Sequence, residues 1–310
     1  MSKPKLADLR VGVFAGGVSS ERAISLRSGR AVFEALAWSG VSVIHVDPYQ
    51  QKKMKRALSE IDLAFLALHG KGGEDGTIQG SLERAKIPYV GSDVRGSRLA
   101  FDKVEAKKIF ERSGIPTPVW RTVNRSNWRE LKTFPTPFFV KPVADGSSIG
   151  VFLVEDFRRS AEKLMQGLKH YGELLVEQQI EGREFTVGIL GARALPVIEL
   201  RPKRKFYDFR AKYTRGMTEY LAPAPIPREW KSRFQRCALR VHKVLGLRDF
   251  SRVDLMADRE GRPFVLEANT IPGFTELSLL PKAAREAGIS FEALCLKLVE
   301  MALKRYNGKT

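Results

Sequence analysis

The segment VDLMADREGRPFVLEANTIPG (residues 253–273) contains two apolar runs joined around Glu260 and Gly261. This pattern predicts an antiparallel β-hairpin with that pair at the centre of its loop. In such a hairpin, residues at equal distances from the loop centre face each other across the two strands. The facing pairs of polar residues are then Asp254 with Glu267 and Arg252 with Asn269.

These four polar residues are predicted to share one face of the hairpin, because strand side chains alternate with a period of two. Two carboxylates that face each other repel, so the arrangement calls for a cation between them. Oxygen ligands suit Mg²⁺, and the neighbouring arginine and asparagine suit phosphate oxygens. The alternative is a solvent-exposed strand face with acidic residues by chance, and a β-bulge in either strand would break the predicted register.

A second segment, KPVADGSSIG (residues 141–150), places a lysine at the end of an apolar strand and before a Gly-Ser loop. Backbone N–H groups and hydroxyls of such a loop can surround phosphates, while Lys141 supplies positive charge. It is not a Walker A motif, because the lysine precedes the loop. A plain hairpin turn is the alternative, but together with a magnesium-binding hairpin the loop indicates a nucleoside triphosphate.

The first hundred residues read as βαβ units, which predict an α/β region with a parallel sheet. The predicted elements are strands at 11–17, 41–47 and 63–70 and a helix at 19–40. Ligands of such sheets gather at the carboxyl ends of the strands, where Gly16, Gly17 and the HGKGGEDG segment (69–76) lie.

Beyond residue 100 the pattern changes to an α+β arrangement. Strands flank the Gly-Ser loop and recur near 185–200, and a polar, proline-containing stretch at 201–228 has no assigned element. The predicted helices are 102–113, 156–169, 229–246, 277–288 and 291–305.

Composition limits the class of protein. The 310 residues are 43% hydrophobic and contain no apolar run long enough for a transmembrane helix, and residues 1–10 contain no apolar signal-peptide core. Cys237 and Cys295 lie in helix-like patterns and are read as buried thiols, so a cytoplasmic protein without a membrane partner is expected. The net charge of +18 permits nucleic-acid binding, but no nucleic-acid-binding motif is present, and a solvated basic surface is the preferred interpretation.

Taken together, these segments resemble the D-alanine–D-alanine ligase family of the ATP-grasp superfamily. The matching stretches occur in the family's order and span almost the whole chain. They include FAGGVSSERAISLRSG (14–29), LHGKGGEDGTIQG (68–80), DKVEAKKIF (102–110), FVKPVADGSSIGV (139–151), EFTVGIL (184–190), FYDFRAKY (206–213), SRVDLMAD (251–258) and LEANTIPGFTELSLLPKAAREAGISF (266–291).

The resemblance implies an ATP-grasp fold with an N-terminal Rossmann-like domain and a division at 1–99, 100–183 and 184–310. It also implies ATP, two Mg²⁺ ions with Mn²⁺ as an alternative, two D-alanine substrates and a homodimer. The reaction implied is the formation of D-alanyl phosphate, followed by attack of a second D-alanine, to give a dipeptide for peptidoglycan synthesis.

Site roles follow residue by residue from the matching motifs. The residues expected to bind ATP are Lys103, Lys141, Glu177, Glu184 and Lys212, with Glu177 at the adenine edge and Glu184 at the ribose. Those expected to bind metal are Asp254, Glu267 and Asn269. Those expected to act in catalysis are Glu21, Ser147, Tyr213, Arg252, Gly273 and Ser278. Those expected to contact the D-alanines are Glu21, His69, Ser278 and Leu279.

For single residues, a purely structural role is the alternative interpretation. Glu21 could be an acid favoured by a helix N-terminus, and Ser278 could simply cap the helix that it precedes. For the whole chain the competing functions are a ligase that joins D-alanine to D-lactate, a basic nucleic-acid-binding protein and a catalytically silent member of the family.

Overall fold

The N-terminal sheet is parallel, as predicted, and has β1 at its centre. The computed structural model describes residues 8–214 and 216–308. The sheet contains β1 (Arg10–Phe14), β2 (Ser42–Val46) and β3 (Leu63–Leu66) in the order β2-β1-β3. Most of β1 and all of β3 are buried, because their continuous apolar runs are covered by helices.

Helix α1 (Arg22–Trp38) follows β1 and packs against the C-terminal helix α10 (Phe291–Asn307). One apolar core therefore joins the two ends of the chain, and it includes Val11, Phe65 and Leu298. The smaller helices of this region are α2 (Gln51–Leu58), α3 (Thr77–Arg84) and α4 (Val94–Phe101).

The central sheet is antiparallel and carries the Gly-Ser loop. Its strands are β4 (Trp120–Val123), β5 (Phe138–Pro142), β6 (Phe152–Val154) and β7 (Leu174–Gln178), in the order β4-β7-β5-β6. Helix α6 (Phe157–Tyr171) covers one face, and a 3-10 helix occupies Trp128–Thr133. Helix α5 (Lys103–Arg112) leads into this region.

The C-terminal sheet is also antiparallel and contains the predicted hairpin. Its strands are β8 (Arg183–Leu190), β9 (Arg193–Ala194), β10 (Ile198–Pro202), β11 (Thr218–Leu221), β12 (Phe250–Ala257) and β13 (Pro263–Asn269). The order is β11-β10-β8-β12-β13, with β9 paired to β8. Helix α8 (Arg228–Val244) packs against β8, β12 and β13, and α9 (Leu279–Glu286) packs against β8.

The predicted hairpin register is confirmed at its functional end. Arg252 pairs with Asn269 and Asp254 with Glu267, but beyond a bulge the pairing shifts, so that Leu255 faces Val265. The loop is centred on Glu260 itself, half a residue from the predicted centre. A bulge alone would break the predicted register. Here the shift at the bulge cancels the offset of the loop centre, so the predicted pairs at the functional end are restored.

The five predicted helices beyond residue 100 are confirmed within two residues at each end. The sequence pattern predicts no helix or strand in the stretch 201–228, yet it contains the five-residue helix α7 (Phe209–Tyr213) and strand β11. These pieces are too short for a periodic pattern to reveal. The expectation about the N-terminal signal falls mainly on residues 1–7, outside the described residues, and no helix in the described part is long and apolar enough to cross a membrane.

Candidate active site

Two adjoining cavities lie where the three sheets approach one another. The first cavity, of about 580 Å³, contains Lys141, Glu177 and Glu184 in its wall. The second cavity, of about 620 Å³, contains Glu21 and Ser278. The side chains or backbone that border both are Lys103, Asp145, Gly146, Ser147, Tyr207, Lys212 and Glu267. A reaction that transfers a group between two bound molecules could take place at this shared wall.

Asp254, on β12, is held from both sides of its carboxylate. Arg252 donates through Nε to Oδ1 at 2.9 Å and through Nη2 to Oδ2 at 2.7 Å. Thr186 donates to Oδ1 at 2.6 Å and Asn269 donates to Oδ2 at 3.2 Å. Burial raises the pKa of Asp254, but the Arg252 guanidinium and these donors lower it further, so the group is a carboxylate. The same ion pair raises the pKa of Arg252 against the effect of burial.

Glu267 lies on β13 opposite Asp254 and faces the shared wall of the cavities. Its Oε2 is 3.9 Å from Nζ of Lys103, which itself donates to the Asp145 carbonyl at 2.5 Å. The donor set of two carboxylates and the Asn269 amide oxygen fits Mg²⁺ or Mn²⁺, which prefer oxygen ligands. Among the described residues no cluster of three His, Cys, Asp or Glu residues suited to a metal is present, so such an ion would need further oxygens from a ligand.

Lys141 lies at the end of β5, and its Nζ forms an ion pair with Glu177 in the neighbouring strand β7. The other oxygen of Glu177 pairs with Lys107, a residue that the sequence analysis did not single out. Burial raises the pKa of Glu177, but the two lysines lower it to about 2. Glu177 lies within β7, and the residue is 1% exposed. The signal that could have revealed Lys107 is its position in α5, on the same face as the buried Ala106 and Phe110.

Glu184 and Lys212 both line the first cavity. Glu184 is the second residue of β8, and burial raises its pKa to about 7, although the positive charge of Lys212 opposes the shift. Lys212 lies in α7, with its Nζ 5.2 Å from the centre of the Tyr207 ring. Both side chains are therefore placed to contact a polar ligand in this cavity.

Ser147 connects the Gly-Ser loop to two other parts of the chain. Its hydroxyl donates to Glu21, which immediately precedes α1, and its oxygen lies 2.7 Å from the Tyr213 hydroxyl in α7. Glu21 makes no capping hydrogen bond to α1, so its carboxylate serves the cavity rather than the helix. Burial raises the pKa of Glu21 and of Tyr213. The structure thus brings together three of the residues expected to act in catalysis.

His69 lies just beyond β3 and has both ring nitrogens engaged. Nδ1 lies 2.9 Å from the Ile271 carbonyl and therefore carries the proton, while Nε2 lies 2.9 Å from Ser28 Oγ and accepts. Burial lowers the pKa of His69 to about 4, so the ring is neutral. Ser28 also accepts from the backbone N–H of Phe274. His69 thereby fixes the segment after β13, and contact with a substrate carboxylate would require one of these bonds to open.

Ser278 precedes α9 but does not cap it with its side chain. Its Oγ accepts from the backbone N–H of Thr275 at 3.0 Å, which leaves the first N–H groups of α9 free of a side-chain cap. A Cβ added to Gly273 would lie 3.2 Å from Ser278 Oγ, so the glycine allows the segment between β13 and α9 to fold back closely on itself. Both residues line the second cavity together with Leu279.

Glu74 is a second carboxylate in the Glu21 cavity that the sequence analysis missed. It accepts from the Gly70 backbone N–H at 3.0 Å, and burial together with the charge of Glu21 raises its pKa to about 8. The signal was the first of the two acids in the segment 69–76, five residues after His69. Glu21 and Glu74 interact within the second cavity, and with Glu74 protonated at neutral pH this pair suits a ligand with a single positive charge.

Comparisons with known proteins agree with this arrangement. The family model described as D-ala D-ala ligase C-terminus matches residues 109–300, and the corresponding N-terminus model matches residues 44–92. The D-alanine–D-alanine ligase of Syntrophotalea carbinolica is 43% identical over 98% of this chain and 100% of its own length. The Aquifex aeolicus enzyme of the same name is 44% identical, over 92% of this chain and 98% of its own.

Solved structures give the same result. The D-alanine–D-alanine ligase of Bacillus anthracis in complex with ATP has a TM-score of 0.86 and 34% identity, over 97% of this chain and 100% of that chain. The VanG D-Ala:D-Ser ligase of Enterococcus faecalis has a TM-score of 0.82 and 31% identity, over 95% and 99%. The fold is thus the predicted ATP-grasp fold, and the chain belongs to the D-alanine–D-alanine ligase family.

Proposed function

We propose that this protein joins two D-alanine molecules into D-alanyl-D-alanine at the expense of ATP. The observation that carries the proposal is the shared wall of the two cavities, where Glu267 borders both, Asp254 lines the first and its ion-pair partner Arg252 lines the second. A carboxylate oxygen of the first D-alanine attacks the γ-phosphorus of ATP and ADP leaves. The amine of the second D-alanine then attacks the acyl carbon, phosphate leaves and the amine loses a proton.

The first cavity is the proposed nucleotide site. Its volume suits a nucleotide, and the cations that line it include Lys103, Lys141 and Lys212. Glu177 and Glu184 are proposed to contact the adenine and the ribose. Asp254, Glu267 and Asn269 are proposed to hold two Mg²⁺ ions, or Mn²⁺, which would neutralise the charge of the phosphate oxygens.

The second cavity is the proposed site of the two D-alanines. Glu21 would attract the ammonium of the first D-alanine, and His69, which lines the same cavity, would lie near the carboxylate of that D-alanine. Arg252 and the Gly273 N–H would stabilise negative charge as the tetrahedral centre forms. Ser278 and the N-terminus of α9, next to Leu279, would receive the carboxylate of the second D-alanine, since helix N-termini favour anions.

The Ser147 bridge supports a role in closing this site. Ser147 and Tyr213 are proposed to act by holding the Gly-Ser loop and α7 over the cavity, because water would otherwise hydrolyse the acyl phosphate. Tyr213 is also the residue that the family resemblance associates with D-alanine as acceptor. The similarity to a D-Ala:D-Ser ligase makes D-serine the acceptor to compare first, with D-lactate as the next.

Several further properties belong to the same proposal. We infer three domains at 1–99, 100–183 and 184–310, a homodimer, and a cytoplasmic location where ATP is available. The product would serve peptidoglycan synthesis. Neither nucleic acid nor a membrane is a proposed partner.

The test is an assay that follows phosphate and dipeptide together, with D-alanine, D-serine and D-lactate as acceptors. We expect phosphate release to require D-alanine and Mg²⁺ together, with one dipeptide formed for each phosphate. An Asp254→Asn variant serves as the inactive control. If D-alanine gave no dipeptide while D-lactate gave a depsipeptide, the acceptor assignment would be wrong. If no acceptor gave a product but nucleic acid bound with a steep salt dependence, the ligase assignment itself would fail.

A further inference from the structure

Lys107 is a fully buried cation behind the wall of the first cavity. Its side chain is 1% exposed, and Nζ contacts one oxygen of Glu177 and donates to Thr117 Oγ1 at 2.6 Å. Thr117 in turn donates to the carbonyl of Val265 on β13 at 2.8 Å. Lys107 is therefore held from two directions and lies at the junction of the central and C-terminal sheets.

Glu177 is shared between this buried lysine and a lysine that faces the cavity. Its second oxygen pairs with Lys141, whose side chain is 15% exposed, and among the described residues no other donor reaches either oxygen. Nζ of Lys141 has three N–H donors, so a phosphate ligand of the first cavity competes with Glu177 for this lysine and favours its departure from the carboxylate. The departure would leave a buried carboxylate without its second partner, which is strongly unfavourable unless another cation remains.

We propose that Lys107 is a positioning residue that keeps Glu177 neutralised and so releases Lys141 to bind the nucleotide's phosphates. The inference rests on the proposed function, because it takes ATP as the ligand of the first cavity. Lys107 never touches the nucleotide. It lowers the free energy needed to move Lys141 from Glu177 to a phosphate, because Glu177 remains an ionised carboxylate paired with one cation.

The experiment compares the dissociation constants of adenosine and ATP, measured by calorimetry with Mg²⁺ present. The dissociation constant of adenosine divided by that of ATP isolates the contribution of the phosphates. A general disturbance of the cavity weakens the binding of both ligands equally and leaves this ratio unchanged. In Lys107→Met we expect the ratio to fall by about tenfold or more, because Glu177 then retains Lys141. Lys108→Met is the matched control: Lys108 is the next residue of α5, is 44% exposed and should leave the ratio unchanged.

The double variant Lys107→Met, Glu177→Gln gives the decisive comparison. A neutral amide no longer holds Lys141, so the ratio should recover toward the wild-type value even if both ligands bind more weakly. Lys107→Gln keeps a hydrogen-bond donor but removes the charge, and it should show the same fall in the ratio. It replaces Lys107→Met if the methionine variant does not fold. Equal weakening of adenosine and ATP, no recovery in the double variant, or a full ratio in Lys107→Gln would each overturn the role of Lys107. A wild-type protein that binds ATP no better than adenosine would instead overturn the nucleotide assignment, and the inference with it.

Discussion

The Tyr213 hydroxyl lies 2.7 Å from Ser147 Oγ, although the two residues are 66 positions apart in the sequence. This contact joins α7 to the Gly-Ser loop, and Ser147 extends it to Glu21. Three segments that surround the second cavity are therefore connected through one hydroxyl.

Tyr213→Phe removes this connection while retaining the ring. We expect the catalytic efficiency to fall by about tenfold and the ratio of phosphate released to dipeptide formed to rise above one, because water gains access to the acyl phosphate. The measurement is the paired assay of the two products. Tyr49→Phe, at an exposed tyrosine outside both cavities, is the control. A slower reaction with unchanged one-to-one coupling would contradict a role in excluding water.

Gly146→Ala tests how closely the Gly-Ser loop approaches Glu21. A Cβ at Gly146 would lie 2.3 Å from Glu21 Oε2, so the carboxylate or the loop must move. We expect a rise in KM for D-alanine of about tenfold or more, with little change in the thermal midpoint, because the crowding falls on a cavity side chain. Gly80→Ala, where φ is not positive and the added Cβ would approach no atom closer than 3.6 Å, is the control. Unchanged KM in Gly146→Ala would show that Glu21 is not positioned by this contact.

Glu267→Gln tests the metal assignment. We expect turnover to fall by about a hundredfold or more and the binding of Mn²⁺ in the presence of ATP, followed by electron paramagnetic resonance, to weaken, since one anionic ligand is lost. The fold should survive because the only ion pair of Glu267 with the described residues is a distant one, at 3.9 Å. Glu219→Gln changes an exposed glutamate of the same sheet and should have no effect. Full activity and unaltered Mn²⁺ binding in Glu267→Gln would remove Glu267 from the metal site.

Acid should destabilise the protein through its buried histidines. Burial lowers the pKa of His69 and of His242 to about 4, from about 6.5 in an unfolded chain. Between these values the unfolded state binds protons that the folded state does not. The stability contributed by each neutral ring is therefore complete above pH 6.5 and is lost as the pH falls toward 4, by up to about 3 kcal/mol per histidine.

The measurement is the thermal midpoint from pH 7.5 to 4, with His242→Asn as the variant. His242 Nδ1 lies 2.7 Å from Ser251 Oγ, and asparagine can keep a polar atom near that position. We expect the midpoint of the variant to depend less steeply on pH between 6.5 and 4. Parallel curves for the two proteins would show that His242 does not contribute to the acid sensitivity.

Gly261 tests the loop of the hairpin from which the sequence analysis began. Its φ is +69°, and an added Cβ would lie 2.1 Å from Cε2 of Trp230 on α8. We expect Gly261→Ala to lower the free energy of unfolding by about 3 kcal/mol, from backbone strain and overpacking together. Gly40→Ala, with φ +79° and nothing within 4 Å, has only the backbone term and should cost about 1 kcal/mol. If Gly261→Ala and Gly40→Ala lowered the free energy of unfolding by equal amounts, measured by thermal and by denaturant unfolding, Trp230 would accommodate the added methyl group without cost.

Local patterns were enough for much of the molecule. Period-two alternation predicted which face of the hairpin carries Asp254 and Glu267, and the alternation of strands with helices in the first hundred residues predicted a parallel sheet. The ordered motifs pointed to the family and to every residue that lines the shared wall except Gly146, Asp145 and Tyr207. These inferences succeed because side-chain periodicity and short loop motifs are properties of neighbouring residues.

Tertiary structure decided what depends on distant partners. The register at Asp254 is right only because a bulge compensates for the loop centre, and no local signal predicts that bulge. Lys107 reads as an ordinary helix lysine until β7 brings Glu177 to its Nζ, and Glu74 reads as an exposed loop acid until Glu21 shares its cavity. Charge state in a buried site is set by desolvation and by partners from other segments, so the sequence determined the elements and the chemistry at their ends, and only the folded chain decided which charges are paired.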